Sequence, residues 1–462
     1  MSVTLARPPA TAVVTGARAD ASVRVGAGVV LWAGLLLVAY WWVAGGGVGD
    51  LTGWTSALTS LGRLTGLVSA DLLLAQVLLM ARLPVLERAF GQDRLIAIHR
   101  IVGFTSINLM FAHLVLITWG YAAGELLHVP ATFWELTTEY PAMLLALGGT
   151  LCLVMTAVTS VRAARAKLRY ESWHLLHLYA YLGVGLALPH QLWTGQEFLA
   201  STAATVYWWS LWGAALGAVL VWRIGIPLWR NARHRLRVTA VVPEGDGVVS
   251  VHLTGRALDR FPATAGQFLL WRFLDRQGWT RGHPYSLSDA PDGRRLRITV
   301  KELGDGSRDA RTIRPGTRVL FEGPFGRLTA RARTRAGVAL IGAGVGVAPL
   351  RALAAGLDYR PGEVVVLHRF TRLPLFADEF RLLTEQRGLR VVDLPGHRRA
   401  LDSWLGVGVH VDDGTALRTL VPDIADRDVF VCGPEQWTES VRRAATAAGV
   451  RPERLHVEKF AW

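Results

Sequence analysis

Six apolar runs, each of roughly the 20 residues that span a bilayer core as a helix, crowd the first half of this 462-residue chain. They lie near 25–46, 55–80, 95–121, 141–161, 173–193 and 205–229. Lipid offers the backbone no hydrogen-bond partners, so such runs can only cross it as helices. Pro189 interrupts the fifth, and the sixth opens on Trp208, Trp209 and Trp212, a residue type enriched at membrane interfaces. The first run is followed by no small-residue cleavage site and reads as a retained anchor.

Lysine and arginine favour cytoplasmic loops, and their asymmetry here is nearly complete. The N-terminal arm carries Arg7, Arg18 and Arg24, the 2–3 connection Arg82, Arg88 and Arg94, the 4–5 connection "RAARAKLR", and Arg230 follows the sixth run. The connections near 45–53, 122–140 and 191–204 hold neither residue. A multi-pass protein of a bacterial-type plasma membrane with both termini cytoplasmic is expected. The net charge of +14 is then explained by topology and anionic lipid. No nucleic-acid motif accompanies it. Two cysteines, Cys152 and Cys432, provide no disulfide framework.

An ionisable side chain inside a membrane span is costly and points to function. The third run carries His99 and His113, the fifth His174, His177 and His190. Fourteen residues return a helix to nearly the same face about 21 Å further along its axis. The third and fifth runs are parallel, so His99 lies level with His177 and His113 with His190. Paired imidazoles at two depths suit two haems, each iron ligated from both helices. The alternative is hydrogen bonding between helices. Thirteen residues separate His177 from His190, which turns a regular helix by about 220°, so a kink at Pro189 has to bring His190 back. His174 competes with His177 for the inner position.

Arg63 falls in the outer third of the second run. It either snorkels to the outer surface or faces the outer haem, pairing with a propionate or drawing an anionic product. Asp71 is either its partner or a proton site.

After Arg230 the pattern changes to short β-type runs such as "RLRVTAVV", "QFLLWRF" and "RLRITVKEL", which imply a small antiparallel barrel. Within it, "RGHPYSLSDAP" provides Pro284 for an extended approach, Tyr285 as a flat face and Ser286 as a small hydroxyl, parts suited to a flavin ring. Next, "GVALIGAGVGVAPLRAL" runs an apolar strand into a glycine-rich turn. Gly342, Gly344 and Gly346 allow backbone to approach a pyrophosphate, and Pro349 suits a first helical turn. An α/β alternation follows, ending in "DVFVCGPEQW". The strand ending "VLHRFTR" lacks the acid that would bind a ribose 2′-hydroxyl and presents Arg369 and Arg372 instead, which favours NADPH over NADH. The expected division is a cytoplasmic arm over 1–24, a six-helix di-haem domain over 25–229, an antiparallel FAD barrel over 230–332 and an α/β NAD(P)H domain over 333–462.

Taken together, the two histidine pairs, "HPYSLS", "GAGVGVAP", "CGP" at 432–434 and the terminal "VEKFAW" resemble the NADPH oxidase and ferric reductase superfamily of flavocytochromes b. That resemblance implies FAD contacts at His283, Pro284, Tyr285 and Ser286, with Val300, Lys301, Gly304, Gly306 and Ser307 near its phosphates. It implies dinucleotide phosphates along Gly342 to Pro349, and nicotinamide beside Cys432, Gly433 and Pro434. Phe460, or Trp462 in its stead, would stack on the flavin until nicotinamide displaces it. Arg63 falls where oxidases of the family carry an arginine near the outer haem. Ile117 stands where animal oxidases add a histidine, and His283 where soluble reductases carry arginine. No calcium-binding or regulatory extension is expected. The implied activity is transfer of electrons from cytoplasmic NADPH through FAD and two haems to a small acceptor outside, with oxygen favoured. A ferric chelate, a quinone or a partner redox protein are the alternatives, and a binding or transport protein with a sensory nucleotide module is the rival of another class.

Overall fold

The computed structural model describes residues 10–165, 167–168, 170–195, 197–245, 247–274, 281–302 and 309–459. Two compact units result, one of residues 22–226 and one of residues 227–462 that also takes in the segment before residue 22.

The first unit is helical: α1 (Ala10–Ala44) from Ser22 onward, α2 (Trp54–Met80), α3 (Pro84–Phe90), α4 (Gln92–Tyr121), α5 (Val129–Glu139), α6 (Met143–Ser160), α7 (Arg162–Arg165), α8 (Tyr170–Trp193) and α9 (Thr202–Ala218), the last continuing through a π-helical segment (Val219–Gly225); α10 (Ile226–His234) carries the chain on into the second unit. Among the described residues, five helical stretches are long and apolar enough to cross a membrane: Ala19–Ala44, Trp54–Met80, Gln92–Tyr121, Met143–Ser160 and Thr202–His234. The expected fifth span forms as α8 but does not join this set, because His174, His177 and His190 lower its hydropathy.

Sequence explains the helix boundaries locally. Pro84 occupies the first turn of α3, where its missing N–H costs nothing. The Ser201 hydroxyl caps α9 by accepting from the Ala204 N–H at 3.2 Å, the usual role of serine at that position. Within the helices, Thr59, Thr118 and Thr156 donate to carbonyls four residues back, so their hydroxyls need no water. Large apolar side chains such as Trp32, Leu36, Phe104, Leu151 and Leu216 point outward and are exposed. A water-soluble bundle would bury most of them, whereas a lipid-facing surface requires them.

α2 packs along α4, and α6 along α8. Glycines set both approaches. A Cβ on Gly149 would lie 2.7 Å from the Gly183 carbonyl oxygen, and one on Gly183 would lie 2.9 Å from that of Gly149, the close crossing that small residues permit between membrane helices.

After α10 the second unit forms β1 (Arg237–Gly245), β2 (Val248–Thr254), β3 (Phe268–Phe273), β4 (His283–Ser286), β5 (Leu296–Lys301) and β6 (Val319–Phe325). They form two antiparallel sheets, ordered β1-β2-β5 and β4-β3-β6. Bridges Arg237↔Arg318 and Leu287↔Ile298 join the sheets at both edges, so the expected barrel closes and no long edge is left unpaired. Trp271, Leu269, Phe321, Leu253 and Ile298 fill it.

The remaining strands, β7 (Val338–Ala343), β8 (Val364–Arg369), β9 (Arg390–Leu394), β10 (Asp428–Gly433) and β11 (Leu455–Lys459), make one sheet ordered β11-β10-β7-β8-β9, parallel at every pairing. Alternation along β7 sends Leu340 toward α11 (Val347–Gly356) and α12 (Ala377–Arg387), and Ile341 toward α13 (Asp413–Leu420) and α14 (Glu435–Ala447). Burial on both faces is what all-parallel sheets need. Barrel and sheet are joined by charge: Arg297 of β5 donates to both carboxylate oxygens of Glu379 on α12 at 2.6 and 2.9 Å. Arg351 of α11 reaches that carboxylate at 2.5 Å and also pairs with Asp289.

Candidate functional site

The helical unit brings its histidines together in two places. At one, the ring opposite His99 is that of His177, with centroids 6.1 Å apart and planes inclined by 62°. Metal–imidazole bonds of about 2.0–2.1 Å plus a ring radius of roughly 1.2 Å on each side put two imidazoles that share a metal roughly 6.4 Å apart, so the spacing of this pair would suit a shared iron. Ser160 Oγ sits 3.2 Å from His177 Nδ1. At the other place His113 and His190 both line one cavity of about 720 Å3. His113 Nδ1 is 2.8 Å from the Gly62 carbonyl oxygen, so Nδ1 carries the proton and Nε2 keeps its lone pair. Fixing the tautomer through the second ring nitrogen is the habit of metal-ligating histidine.

α8 runs without a break past Pro189, and His190 still reaches the cavity shared with His113. Gly66 on α2 makes room for this arrangement: a Cβ there would lie 2.5 Å from His113 Nδ1. Residues of α2, α4, α6 and α8 line the cavity, with Phe133, Leu136 and Thr137 of α5 as a further wall.

Arg63 also lines the cavity, and its guanidinium is held by two carboxylates, Asp50 at 2.6 Å and Glu197 at 3.5 Å. Asp71 is not its partner. That carboxylate is buried and hydrogen-bonded to the Tyr207 hydroxyl of α9, and a Cβ on Gly34 of α1 would crowd the same hydroxyl at 2.6 Å. Sequence reasoning missed Asp50, Glu197 and the α5 wall. It also missed Arg223 in the π-helical segment, which donates to the Met80 carbonyl at 3.3 Å and acts electrostatically on His177. A lone arginine inside the last apolar run was the available signal.

In the barrel, β4 places His283 and Tyr285 on one face, rings parallel within 5° and 5.8 Å apart, as the two-residue period of a strand requires. Trp271 Nε1 donates to the Tyr285 carbonyl at 2.9 Å and fixes the strand. Ser286 is buried, and its hydroxyl has no hydrogen-bond partner among the described residues. A buried hydroxyl without a partner is unusual in a native fold and fits a ligand atom such as a flavin edge. Pro284 belongs to the same strand, while Val300 and Lys301 end β5. Gly304, Gly306, Ser307, Phe460 and Trp462 lie outside the described residues.

At the carboxyl end of the parallel sheet, β7 passes through a 3-10 turn (Gly344–Gly346) into α11. A Cβ on Gly346 would lie 2.4 Å from the Cys432 carbonyl oxygen, and one on Gly342 would meet Val347 and Leu350 at 3.0 Å. Gly344 has φ +54° with open space beside it, a conformation that favours glycine. Pro349 lies in the first turn of α11. β7 and β10 flank the point where strand order reverses, the usual crevice for a dinucleotide. Cys432, Gly433 and Pro434 border it at the end of β10. The Cys432 thiol is fully buried, and burial with the nearby Glu458 pushes its pKa well up, so it stays a neutral, inert thiol.

Arg369 departs from the expected role. It is buried, and its guanidinium donates to the carbonyls of Leu394, Pro395 and Gly396 at 2.9, 3.0 and 2.8 Å. The arginine left exposed after β8 is Arg372.

Residues 65–188 match the family described as "Ferric reductase like transmembrane component". The glycine betaine monooxygenase reductase subunit of Chromohalobacter salexigens is 26% identical over 255 residues, covering 50% of this chain and 65% of that protein. The flavohemoprotein of Chromobacterium violaceum is 29% identical over 247 residues, 48% of this chain and 59% of its own length. The ferredoxin reductase component of the Mycobacterium tuberculosis 3-ketosteroid-9-alpha-monooxygenase is 28% identical over 202 residues, at 42% and 54% coverage. The chain thus spans between about half and two thirds of these relatives. Among solved structures, the FAD/NAD binding domain of nitric oxide dioxygenase from Vibrio cholerae is similar with a TM-score of 0.38 and 24% identity, over 49% of this chain and 99% of that one.

This membrane protein joins a ferric-reductase-like transmembrane component to a ferredoxin-reductase-like module. That is the architecture of the flavocytochrome-like ferric reductases and NADPH oxidases.

Proposed function

We propose that the chain is an NAD(P)H-dependent oxidoreductase. It carries electrons from cytoplasmic NADPH, through FAD and two b-type haems, to an acceptor across the plasma membrane, and oxygen is that acceptor. The observation that carries this reading is the pairing of histidines: His99 faces His177 at 6.1 Å, and His113 shares a cavity with His190. FAD supplies the conversion of a hydride into single electrons, and haem iron the one-electron relay.

The chain's own residues bind, orient and exclude water. His99, His177, His113 and His190 would hold the irons, with Ser160 and the Gly62 carbonyl orienting His177 and His113. The Ser286 hydroxyl would meet the flavin edge, and the wall of Tyr285 and His283 would hold the ring. Backbone N–H groups from Gly344 into the start of α11 would receive the dinucleotide phosphates. Held by a histidine from each of two helices, each iron would be shielded by imidazole, and an acceptor would meet the cavity wall formed by α2, α4, α5, α6 and α8.

A ferric chelate is the second reading, favoured by the name of the matched family. Cytochrome c reduction by the membrane-embedded protein with NADPH separates the two. The oxidase reading predicts a signal abolished by superoxide dismutase, while an undiminished signal together with ferric-chelate reduction would replace oxygen with the metal.

A further inference from the structure

One buried carboxyl inside the helical unit takes no part in the scheme above. Asp71 of α2 is 3% exposed, and the hydrogen bond it accepts comes from the Tyr207 hydroxyl of α9. Gly34 of α1 lets the helices close on this pair: a Cβ there would lie 2.6 Å from the hydroxyl and 3.5 and 3.6 Å from the two carboxylate oxygens. Among the described residues no basic side chain forms an ion pair with Asp71, and Tyr207 is the polar group that acts on it. Tyr40 of α1 lies six residues beyond Gly34, and Arg63 of α2 lies eight residues before Asp71 and is held by Asp50 and Glu197. α4 and α8 also pack on α2 and bring the histidines of the two levels. Depth relates the carboxyl to both levels. Asp71 is five residues from Gly66, which abuts His113, and five from Gln76, whose backbone stands beside His99, so about 7.5 Å of helix rise separates it from either. It also stands only about 40° around the helix from Leu67, which lines the cavity together with Ala70.

We propose that Asp71 binds a proton when a haem at these levels takes an electron, so that charge entering the membrane is neutralised where it lodges. The inference rests on the electron-transfer reading above and adds a proton site to it. An ionisable group inside a span that no partner charge explains points to function. A ferric haem held by two neutral imidazoles carries one positive charge on iron and ring, and that charge is the counterion Asp71 lacks among the described residues. One electron cancels it. A carboxylate left in low dielectric without a counter-charge recovers neutrality by taking a proton. The balance is one for one: a proton from water joins a carboxylate oxygen of Asp71, and it returns to water when the acceptor removes the electron. The competing role for the pair is a tie between α2 and α9, and the two roles separate experimentally.

The test uses the full chain, loaded with haem and FAD in nanodiscs, and follows the haem midpoint potentials by spectroelectrochemistry between about pH 5 and 9. A proton bound with each electron lowers the potential by up to about 59 mV per pH unit, the tenfold change in proton activity expressed for one electron. The native chain should show such a slope in at least one haem. Asp71→Asn keeps the shape and can still accept from Tyr207, and it should flatten the slope with the haem spectrum unchanged. Tyr207→Phe breaks the tie but keeps the carboxyl, and it should retain the slope. Infrared difference spectra of the native chain should gain a carboxylic acid C=O band on reduction. Native potentials independent of pH, a slope that survives Asp71→Asn, a slope lost equally in Tyr207→Phe, or absence of the infrared band overturns the inference while leaving the electron-transfer reading intact. A chain that takes up no haem defeats both.

Discussion

The ring of His113 is hung from the backbone of a neighbouring helix: its Nδ1 lies 2.8 Å from the carbonyl oxygen of Gly62. One turn further along α2, Gly66 leaves the space that the ring occupies. The Gly66→Ala methyl would stand 2.5 Å from Nδ1, which is closer than atoms tolerate. It should push His113 out of line and lower the affinity for the second haem about 10–100-fold, the range seen when a ligand's support is lost. A redox titration of the variant should resolve one component instead of two. Gly28→Ala on α1, with nothing within 4 Å, should leave both.

Ser286→Ala removes a buried hydroxyl that no described residue hydrogen-bonds. The folded module should therefore lose less than about 0.5 kcal/mol. Flavin reduction by NADPH should slow by up to about tenfold, the worth of one lost hydrogen bond. Stopped-flow flavin bleaching and a thermal melt check the two halves separately. A melt that drops several degrees with flavin reduction unchanged would make Ser286 a core residue.

Arg369 and Arg372 should separate in the same way. Arg369→Ala strands three carbonyls and should cost the module about 2–3 kcal/mol without changing the preference between coenzymes. Arg372→Ala should raise KM for NADPH about tenfold, roughly 1.4 kcal/mol of a lost charge contact, and leave KM for NADH in place. Steady-state kinetics with both coenzymes, beside chemical denaturation, give the answer.

Much of this was legible from residue spacing. Apolar runs of bilayer length have one solution, so α1, α2, α4, α6 and α9 were readable, and the two-residue period of the β-runs announced the barrel. Side-chain destinations were less readable. Arg369 and Arg372 look alike in sequence, and only the return of residues 394–396 toward the end of β8 buries one of them. α5 was hidden because a short amphipathic helix between two spans has the composition of a loop. Asp50 and Glu197 escaped notice because they lie far from Arg63 in sequence and meet it only once the bundle forms.

Asp428 makes the nucleotide-binding sheet acid-sensitive. Burial would raise its pKa, but the His456 ring 3.7 Å away and hydrogen bonds donated by Thr334 and by the Arg335 N–H outweigh burial and hold it below the ordinary carboxylate value. A depressed carboxylate contributes stability above its unfolded pKa of about 3.9, and that stability is lost as pH falls through the folded value. Stability of the module should therefore decline below about pH 4. Asp428→Asn should remove about 1–3 kcal/mol at neutral pH and flatten the acid limb. Denaturation midpoints measured across pH 2 to 7 test the slope.

The pairing of four histidines into two metal-holding levels is tested most directly by counting haem per chain in the purified protein. The account predicts two b-type haems in the native chain and one after His113→Ala, with the remaining haem still reducible from the flavin. A chain that is colourless, or one that holds a single haem whether or not His113 is present, would contradict it.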